Sequence, residues 1–242
     1  MSSKWKKTEA LLRNPSIRNL IPKTVRFNKA QLKKMLDNYR MVYAKPDTGS
    51  YGNGVMRIHQ KNGRFGYQHG ERMKSFASLD ALYEALRQET KHRSYLIQKG
   101  IHLLKYKGSR FDLRVMVQLN PNKAWETTGM IGRVAARRKI VTNFHNGGTP
   151  MPVSRLLSVH LSKSKAARKV KALEKLGVRT GITLRSKFPG LRVIGLDVGL
   201  DHSLTPWILE VNTSPDPYIF RRLPDKSVFR KIMRYARAHR SK

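Results

Sequence analysis

Two carboxylates stand where carboxylates are costly. Asp197 sits in Val193-Ile194-Gly195-Leu196-Asp197-Val198 and Glu210 in Trp207-Ile208-Leu209-Glu210-Val211-Asn212, both apolar, β-prone runs. Ionised oxygens in such surroundings need a cation or strong donors. Glu210 and Asn212 are two apart, so on a strand both side chains leave the same face. If a neighbouring strand sets Asp197 beside them, three oxygen ligands converge. That set suits Mg2+, a hard ion that keeps waters and shares phosphate oxygens. Either acid alone is better explained by pairing with an arginine; the trio favours the metal.

Three further segments could carry chemistry. Lys45-Pro46-Asp47-Thr48-Gly49-Ser50-Tyr51-Gly52-Asn53-Gly54-Val55 spaces three glycines so that backbone amides can approach an anion, with Lys45 as a point charge for phosphate. It is neither a Walker loop nor the dinucleotide fingerprint, and an ordinary hairpin loop explains it equally well. Within Arg110-Phe111-Asp112-Leu113-Arg114-Val115, Asp112 and Arg114 share a strand face. Arg114 could serve a transferring phosphoryl group, or the two could be members of cross-strand ion pairs. In Val141-Thr142-Asn143-Phe144-His145-Asn146-Gly147-Gly148, Asn143 and paired glycines could close over a ligand, or form a plain hairpin tip.

The elements that must position these residues alternate in type. Asn28 caps a helix with Leu32, Met35, Leu36 and Tyr39 on one face, and Ser78 caps another with Leu79, Leu82, Tyr83 and Leu86. Strands are expected over 41–45, stopped by Pro46, over 54–58, and over 65–68 after an Asn62-Gly63 hairpin turn. Further strands are expected at 95–98, 112–119 and 125–135, the last two turned at Asn120-Pro121-Asn122. A basic helix over 159–176 ends at Gly177, strands 191–198 and 207–211 pair, and 228–239 is a terminal helix. Hairpins outnumber parallel crossovers, so the class is α+β.

Composition limits the rest. Lys and Arg number 50 against 15 acids, a formal net charge of +35, far beyond what solubility needs. Such an excess implies a polyanionic partner, nucleic acid or acidic protein. There is no cysteine, which excludes disulfides, cysteine nucleophiles and cysteine-held metals. No apolar run approaches the roughly 18 residues of a membrane span. The N-terminus does not read as a secretory signal, so the default is a cytoplasmic chain.

In order, the pieces are a lysine–proline strand end with Gly-Ser-x-Gly-x-Gly-Val, Leu-Ile-Gln-Lys-Gly-Ile, Asp-x-Arg-Val, Asn-x-x-x-Gly-Gly, Gly-Leu-Asp and Leu-Glu-Val-Asn-x-x-Pro. This series, from about Lys4 to Pro217, resembles the ATP-grasp superfamily, most closely its YheC/YheD-type, spore-coat-associated members. The resemblance implies two α+β lobes with nucleotide between them: 1–99 with the glycine-rich flap, 100–217 with the metal site, then a basic tail over 218–242. It implies that Lys4 and Lys45 reach phosphates, that Gly49, Ser50, Gly52 and Gly54 form the flap, and that Gln98, Lys99 and Ile101 hold adenine. It assigns Arg114 and Asn143 to the reacting centre, and Asp197, Glu210 and Asn212 to two Mg2+ ions, with Mn2+ as an alternative. The implied activity is ATP-dependent carboxylate–amine ligation through an acyl phosphate on an acidic small molecule, peptide or protein. A nucleic-acid- or polyanion-binding protein on a retired fold, or a structural coat component, is the competing reading. Family members carry a domain ahead of the segment beginning here near Lys4, which implies a partner subunit in its place.

Overall fold

The computed structural model describes residues 3–142 and 144–238. Helix α1 (Lys4–Leu12) and a 3-10 turn precede strand β1 (Thr24–Arg26) and α2 (Lys29–Tyr39). Then come β2 (Met41–Pro46), β3 (Met56–Lys61), β4 (Arg64–His69), β5 (Arg72–Phe76), α3 (Leu79–Thr90) and β6 (Tyr95–Lys99). These six strands form one antiparallel sheet in the order β1-β6-β2-β3-β4-β5. Local chemistry sets its parts. Asn28 accepts from the Gln31 amide and Ser78 from the Ala81 amide, capping α2 and α3. Asn62 and Gly63 both take positive φ (50° and 73°), the backbone of the turn joining β3 to β4.

The second half runs through β7 (Lys105–Tyr106), β8 (Ser109–Leu119), β9 (Trp125–Val134), β10 (Thr149–Met151), α4 (Val153–Leu157) and α5 (Lys163–Lys187). It closes with β11 (Val193–Leu200), β12 (Pro206–Asn212) and α6 (Lys226–Ala238). Its sheet, also antiparallel, has the order β10-β9-β8-β11-β12, with β7 pairing β8.

Alternation along strands explains where each face goes. In the first sheet, Val42, Ala44, Met56, Ile58 and Ile97 pack against Leu32, Leu36, Leu82 and Leu86 of α2 and α3. Tyr43 and Lys45, one residue out of phase, face the other way, toward the cleft. In β8, Phe111, Leu113, Val115 and Val117 pack on Leu173, Leu176 and Leu184 of α5. The intervening Met116 meets Phe220 and Ile232 on the opposite face. Asp112 and Arg114 continue that opposite face into the cleft. Residues 4–21 precede the first sheet in the chain, yet Ala10, Leu11, Ile17 and Ile21 pack into the second core, because α1 docks on α5 and β12.

Two sequence expectations are corrected. The strand expected from Gly54 begins at Met56, because Gly54 has φ 75° and belongs to the turn. The basic helix does not end at Gly177; it starts at Lys163 and continues to Lys187. Gly177 and Gly181, one turn apart, are there for close packing. A Cβ on Gly177 would lie 2.8 Å from Val117 Cγ2 and 3.0 Å from Thr127 Oγ1, and one on Gly181 would meet the Trp125 ring at 2.8 Å. Gly177→Ala should therefore destabilise the fold, since overpacking of about 1–3 kcal/mol exceeds the gain in helix propensity of up to about 1 kcal/mol. Gly190→Ala, with nothing within 4 Å, should be near neutral in the same urea titration.

A candidate nucleotide and metal site between two sheets

A cavity of about 730 Å3 separates the lobes, within the range of about 300–1,000 Å3 usual for ligand sites. Its first-sheet wall carries Tyr43, Lys45 and Gln98, and its second-sheet wall Asp112, Arg114, Arg133, Asp197, Glu210 and Asn212. Gly49, Gly52 and Gly54 have φ of 118°, 71° and 75°, left-handed backbone open to glycine, and shape a loop that brings Ser50, Tyr51 and Gly52 to the cavity. Three contacts span the mouth. The Asn146 amide donates to the Tyr51 carbonyl (2.6 Å), Gln68 donates to the Arg138 carbonyl (2.7 Å), and Lys139 pairs with Glu71 (2.9 Å).

Register places the carboxylates. Asp197 of β11 lies directly opposite Glu210 of β12 and, on its other side, opposite Arg114 of β8. Asn212 lies opposite Gly195, two residues from Asp197. Opposed residues share a face, so all four side chains leave the same side. Gly195 keeps that face open: a Cβ there would come within 3.1 Å of Arg114 Cδ.

Asp197 is gripped by two guanidiniums. Arg114 holds it bidentately (2.6 and 3.2 Å), and Arg133 contacts it at 3.0 Å while binding both oxygens of Asp112 (2.8 and 2.5 Å). Burial works against ionising Asp197, but Arg114 and then Arg133 overcome it and hold its pKa down to about 2. Burial likewise opposes the Arg133 charge, and Asp112 and Asp197 reverse the effect, pushing its pKa up.

Lysines surround Glu210. Lys4 lies 3.5 Å from it and donates to the Gly49 carbonyl (2.9 Å), tying α1 to the flap. Lys45 donates to Gln98 Oε1 (2.6 Å) and to the Leu209 carbonyl across the cleft (3.2 Å). Lys7 donates to the Val211 carbonyl (2.6 Å), between Glu210 and Asn212. Burial pushes the pKa of both Lys45 and Lys7 down, and Glu210 is the largest opposing influence in each case.

Comparison with known proteins decides the family. The YheC/D like ATP-grasp family matches residues 1–238. The chain belongs to that family. Two curated Bacillus subtilis (strain 168) proteins are similar to it. Endospore coat-associated protein YheD is 27% identical over 225 residues, 90% of this chain and 49% of that protein. Endospore coat-associated protein YheC is 21% identical over 220 residues, 89% of this chain and 60% of that protein. The chain thus spans about half the length of YheD and rather more of YheC. Members of the ATP-grasp family typically use ATP and Mg2+, and the mixed architecture with two antiparallel sheets agrees with membership.

Most residues singled out from the sequence lie around this cleft. Lys45, Ser50, Gly52, Gln98, Lys99, Ile101, Arg114, Asp197, Glu210 and Asn212 line it; Lys4 sits behind Glu210, and Gly49 and Gly54 support the flap. Asn143 lies outside the described residues. Gln98 holds Lys45 with its carbonyl and donates to Thr24 Oγ1 (3.2 Å), and Lys99 sets its ammonium 5.2 Å from both the Tyr39 and Trp207 rings. Sequence reasoning missed Arg133 and Lys7. Lys7 could have been found as the i+3 neighbour of Lys4, on the same face of a helix.

The oxygen donors fit a divalent ion. Among the described residues no cluster of three His, Asp or Glu exists, but Mg2+ typically takes only one or two carboxylates and completes its shell with water and phosphate oxygens. Asp197, Glu210 and Asn212 offer donors of that kind on one face, with both Asp197 oxygens engaged by Arg114 and one of them also by Arg133. The depressed Asp197 pKa has a stability consequence. Its contribution is complete above the ordinary aspartate range and is lost as pH falls through about 2. Asp197→Asn should therefore be the less stable protein at pH 7, with the gap to wild type closing between about pH 4 and 2. Urea midpoints across that range test this, and a constant gap would show that the ion pairs do not hold the carboxyl.

Proposed function

We propose that the chain is a Mg-ATP-dependent carboxylate–amine ligase acting on an acidic or polyanionic substrate. The observation that carries this reading is the register placing Asp197 opposite Glu210, with Asn212 on the same face, across the cleft from Lys45. Bound Mg-ATP supplies the γ-phosphoryl group, which a substrate carboxylate accepts as an acyl phosphate before an amine displaces phosphate. Asp197, Glu210 and Asn212 would hold the metal ions, or Mn2+ in their place. Lys45 and Lys4 neutralise phosphate charge, and the flap from Gly49 to Gly54 excludes water. Arg114, beside Asp197 in the structure, would offer its planar fork to the transferring group. Asn143 belongs to the same reacting centre, and the backbone after Gln98, at Lys99 and Ile101, cradles the adenine. The lobes are 1–99 and 100–217, except that the residues around α1 pack on the second, with the basic 218–242 segment following. The protein works in the cytoplasm, and association with the spore coat is in keeping with the names of its relatives.

A second reading has its own support. Lys163, Lys165, Arg168, Lys171, Lys175 and Arg179 are exposed along α5, and none takes part in the ion pairs found among the described residues. On this reading the fold binds a polyanion without turnover, and its affinity falls steeply with salt.

Calorimetry with Mg-ATP at moderate salt separates the two. Loss of an outer partner alone weakens metal sites by about 10–100-fold, so Glu210→Gln should weaken Mg-dependent nucleotide binding by at least about tenfold. Wild-type binding should persist when RNA is added. Nucleotide binding that ignores Mg2+ and Glu210, or that RNA abolishes, would transfer the lead to polyanion binding.

A further inference from the structure

Arg57 and Arg110 approach each other from opposite lobes with no acid between them. Arg57 of β3 lies directly opposite Tyr43 of β2, so it shares the cleft-facing side of the first sheet. Tyr43 lines the cavity. Arg110, near the start of β8 in the second sheet, places its guanidinium against the Tyr43 hydroxyl. Both arginines are half-buried. Arg57 Nε and Arg110 Nη1 are shielded from water and have no hydrogen-bond partner. Neither residue enters any ion pair among the described residues.

Nearby groups do not supply the missing charge. Burial pushes the Tyr43 phenol pKa up, against the pull of Arg110 and Arg57, so it stays neutral at physiological pH. His59, two residues along β3 on the same face, has an unpartnered Nδ1; burial, then Arg57 and Lys61, push its pKa down. Asp112, two residues from Arg110, spends both oxygens on Arg133. Burial pushes the Arg57 pKa down, and the charge of Arg110 adds to this. Like charges with shielded, unpaired N–H groups are an unfavourable arrangement. A single oxyanion resolves it, since each guanidinium offers a planar fork of donors.

We propose that Arg57 and Arg110 form an oxyanion clamp between the lobes, with the Tyr43 hydroxyl as a third donor, for a phosphate or carboxylate group. Tyr43 is two residues from Lys45 along β2, which sets the clamp about 7 Å from the lysine. The clamp is therefore separate from the Lys45–Glu210 cluster, and a ligand filling both presents two anionic groups. Because one arginine comes from each lobe, the anion also draws the lobes together. The clamp stands on charge and hydrogen bonding alone and does not require ligase chemistry. Its anion comes either from the nucleotide phosphates or from a second acidic group on the acceptor.

Thermal unfolding and calorimetry of the full chain with inorganic phosphate, at constant ionic strength in chloride buffer, test the clamp. Without phosphate, Arg57→Gln and Arg110→Gln should unfold no earlier than wild type, because each removes an unpaired buried cation. With phosphate, wild type should gain stability that both variants lose, with affinity reduced about tenfold, the loss of one charge-assisted contact. Arg57→Lys should keep part of the effect. Lys171→Gln, which removes an exposed charge on α5, should behave as wild type. A phosphate shift of equal size in all five proteins would be diffuse binding to a chain of +35 and would overturn the clamp. So would a loss of stability in both glutamine variants before phosphate is added. A non-hydrolysable Mg-ATP analogue identifies the source. Weakening by Arg57→Gln assigns the anion to the nucleotide; unchanged analogue binding, with the phosphate effect still dependent on Arg57, assigns it to the acceptor. Glu210→Gln should leave the phosphate effect intact, so loss of the metal reading and loss of the clamp are distinguishable.

Discussion

The alternating chain of Asp112, Arg133, Asp197 and Arg114 is the constraint to which the rest of the second lobe answers. Four charged side chains lie almost wholly buried on one sheet face. Removing any one leaves an uncompensated charge in a poorly solvated site, so each residue must be delivered to its partner by backbone register rather than by flexible reach. Three adjacent strands do this. β8 gives Asp112 and Arg114 at alternate positions, β9 gives Arg133 opposite Asp112, and β11 gives Asp197 opposite Arg114. The packing of α5 on one side and α6 on the other then fixes the sheet that holds them. Glycines at 177 and 181 let the long helix approach closely enough to do so.

The lobes are joined by cations that reach across. Lys45 leaves the first sheet to bind the Leu209 carbonyl, and Lys4, from a helix packed on the second sheet, binds the flap of the first. Asp47 completes the link, because it receives the Trp5 amide (2.8 Å) and the Ser3 hydroxyl (3.0 Å) at the start of α1. The flap is thus tethered at its base to an element of the opposite lobe. The same helix brings Lys4 beside Glu210, so the tether and the carboxylate share one side chain.

Local periodicity made much of this legible in the sequence. Glu210 and Asn212 share a face because strands alternate, and the short connection between 200 and 206 nearly compels Asp197 and Glu210 to pair. The caps at Asn28 and Ser78 and the Asn62-Gly63 turn were readable because one or two residues determine them. Arg133 was not readable, and the reason is specific. Counting outward from the turn at Asn120 would set Asp112 opposite Gly132, but a bulge between Met116 and Val117 shifts the register by one residue and brings Arg133 there instead. Gly177 misled for a related reason: a glycine in a helix is a stop signal in isolation and a contact surface once a sheet lies against it. The docking of α1 on the second core, and of Arg110 beside Tyr43, depends on contacts between segments far apart in sequence, which no local pattern encodes.

Charge inside the cleft differs in kind from charge on the surface. The net +35 of the chain is carried mostly by exposed side chains, screened by salt within about 8–10 Å. Around Asp197 and Glu210, five cations (Lys4, Lys7, Lys45, Arg114 and Arg133) meet three carboxylates (Asp112, Asp197 and Glu210), and most of these groups are removed from water. The local excess is small, positive and poorly screened, so it acts strongly on anything that enters. A divalent cation alone would add to that excess, and a naked polyanion would have to displace the carboxylates from their arginines. A polyphosphate that arrives with its metal ions answers both demands. Its metal ions would be held by the carboxylates, and the guanidinium and ammonium groups beside them would meet the phosphate oxygens. The surface charge, by contrast, needs no such exchange to attract an acidic partner.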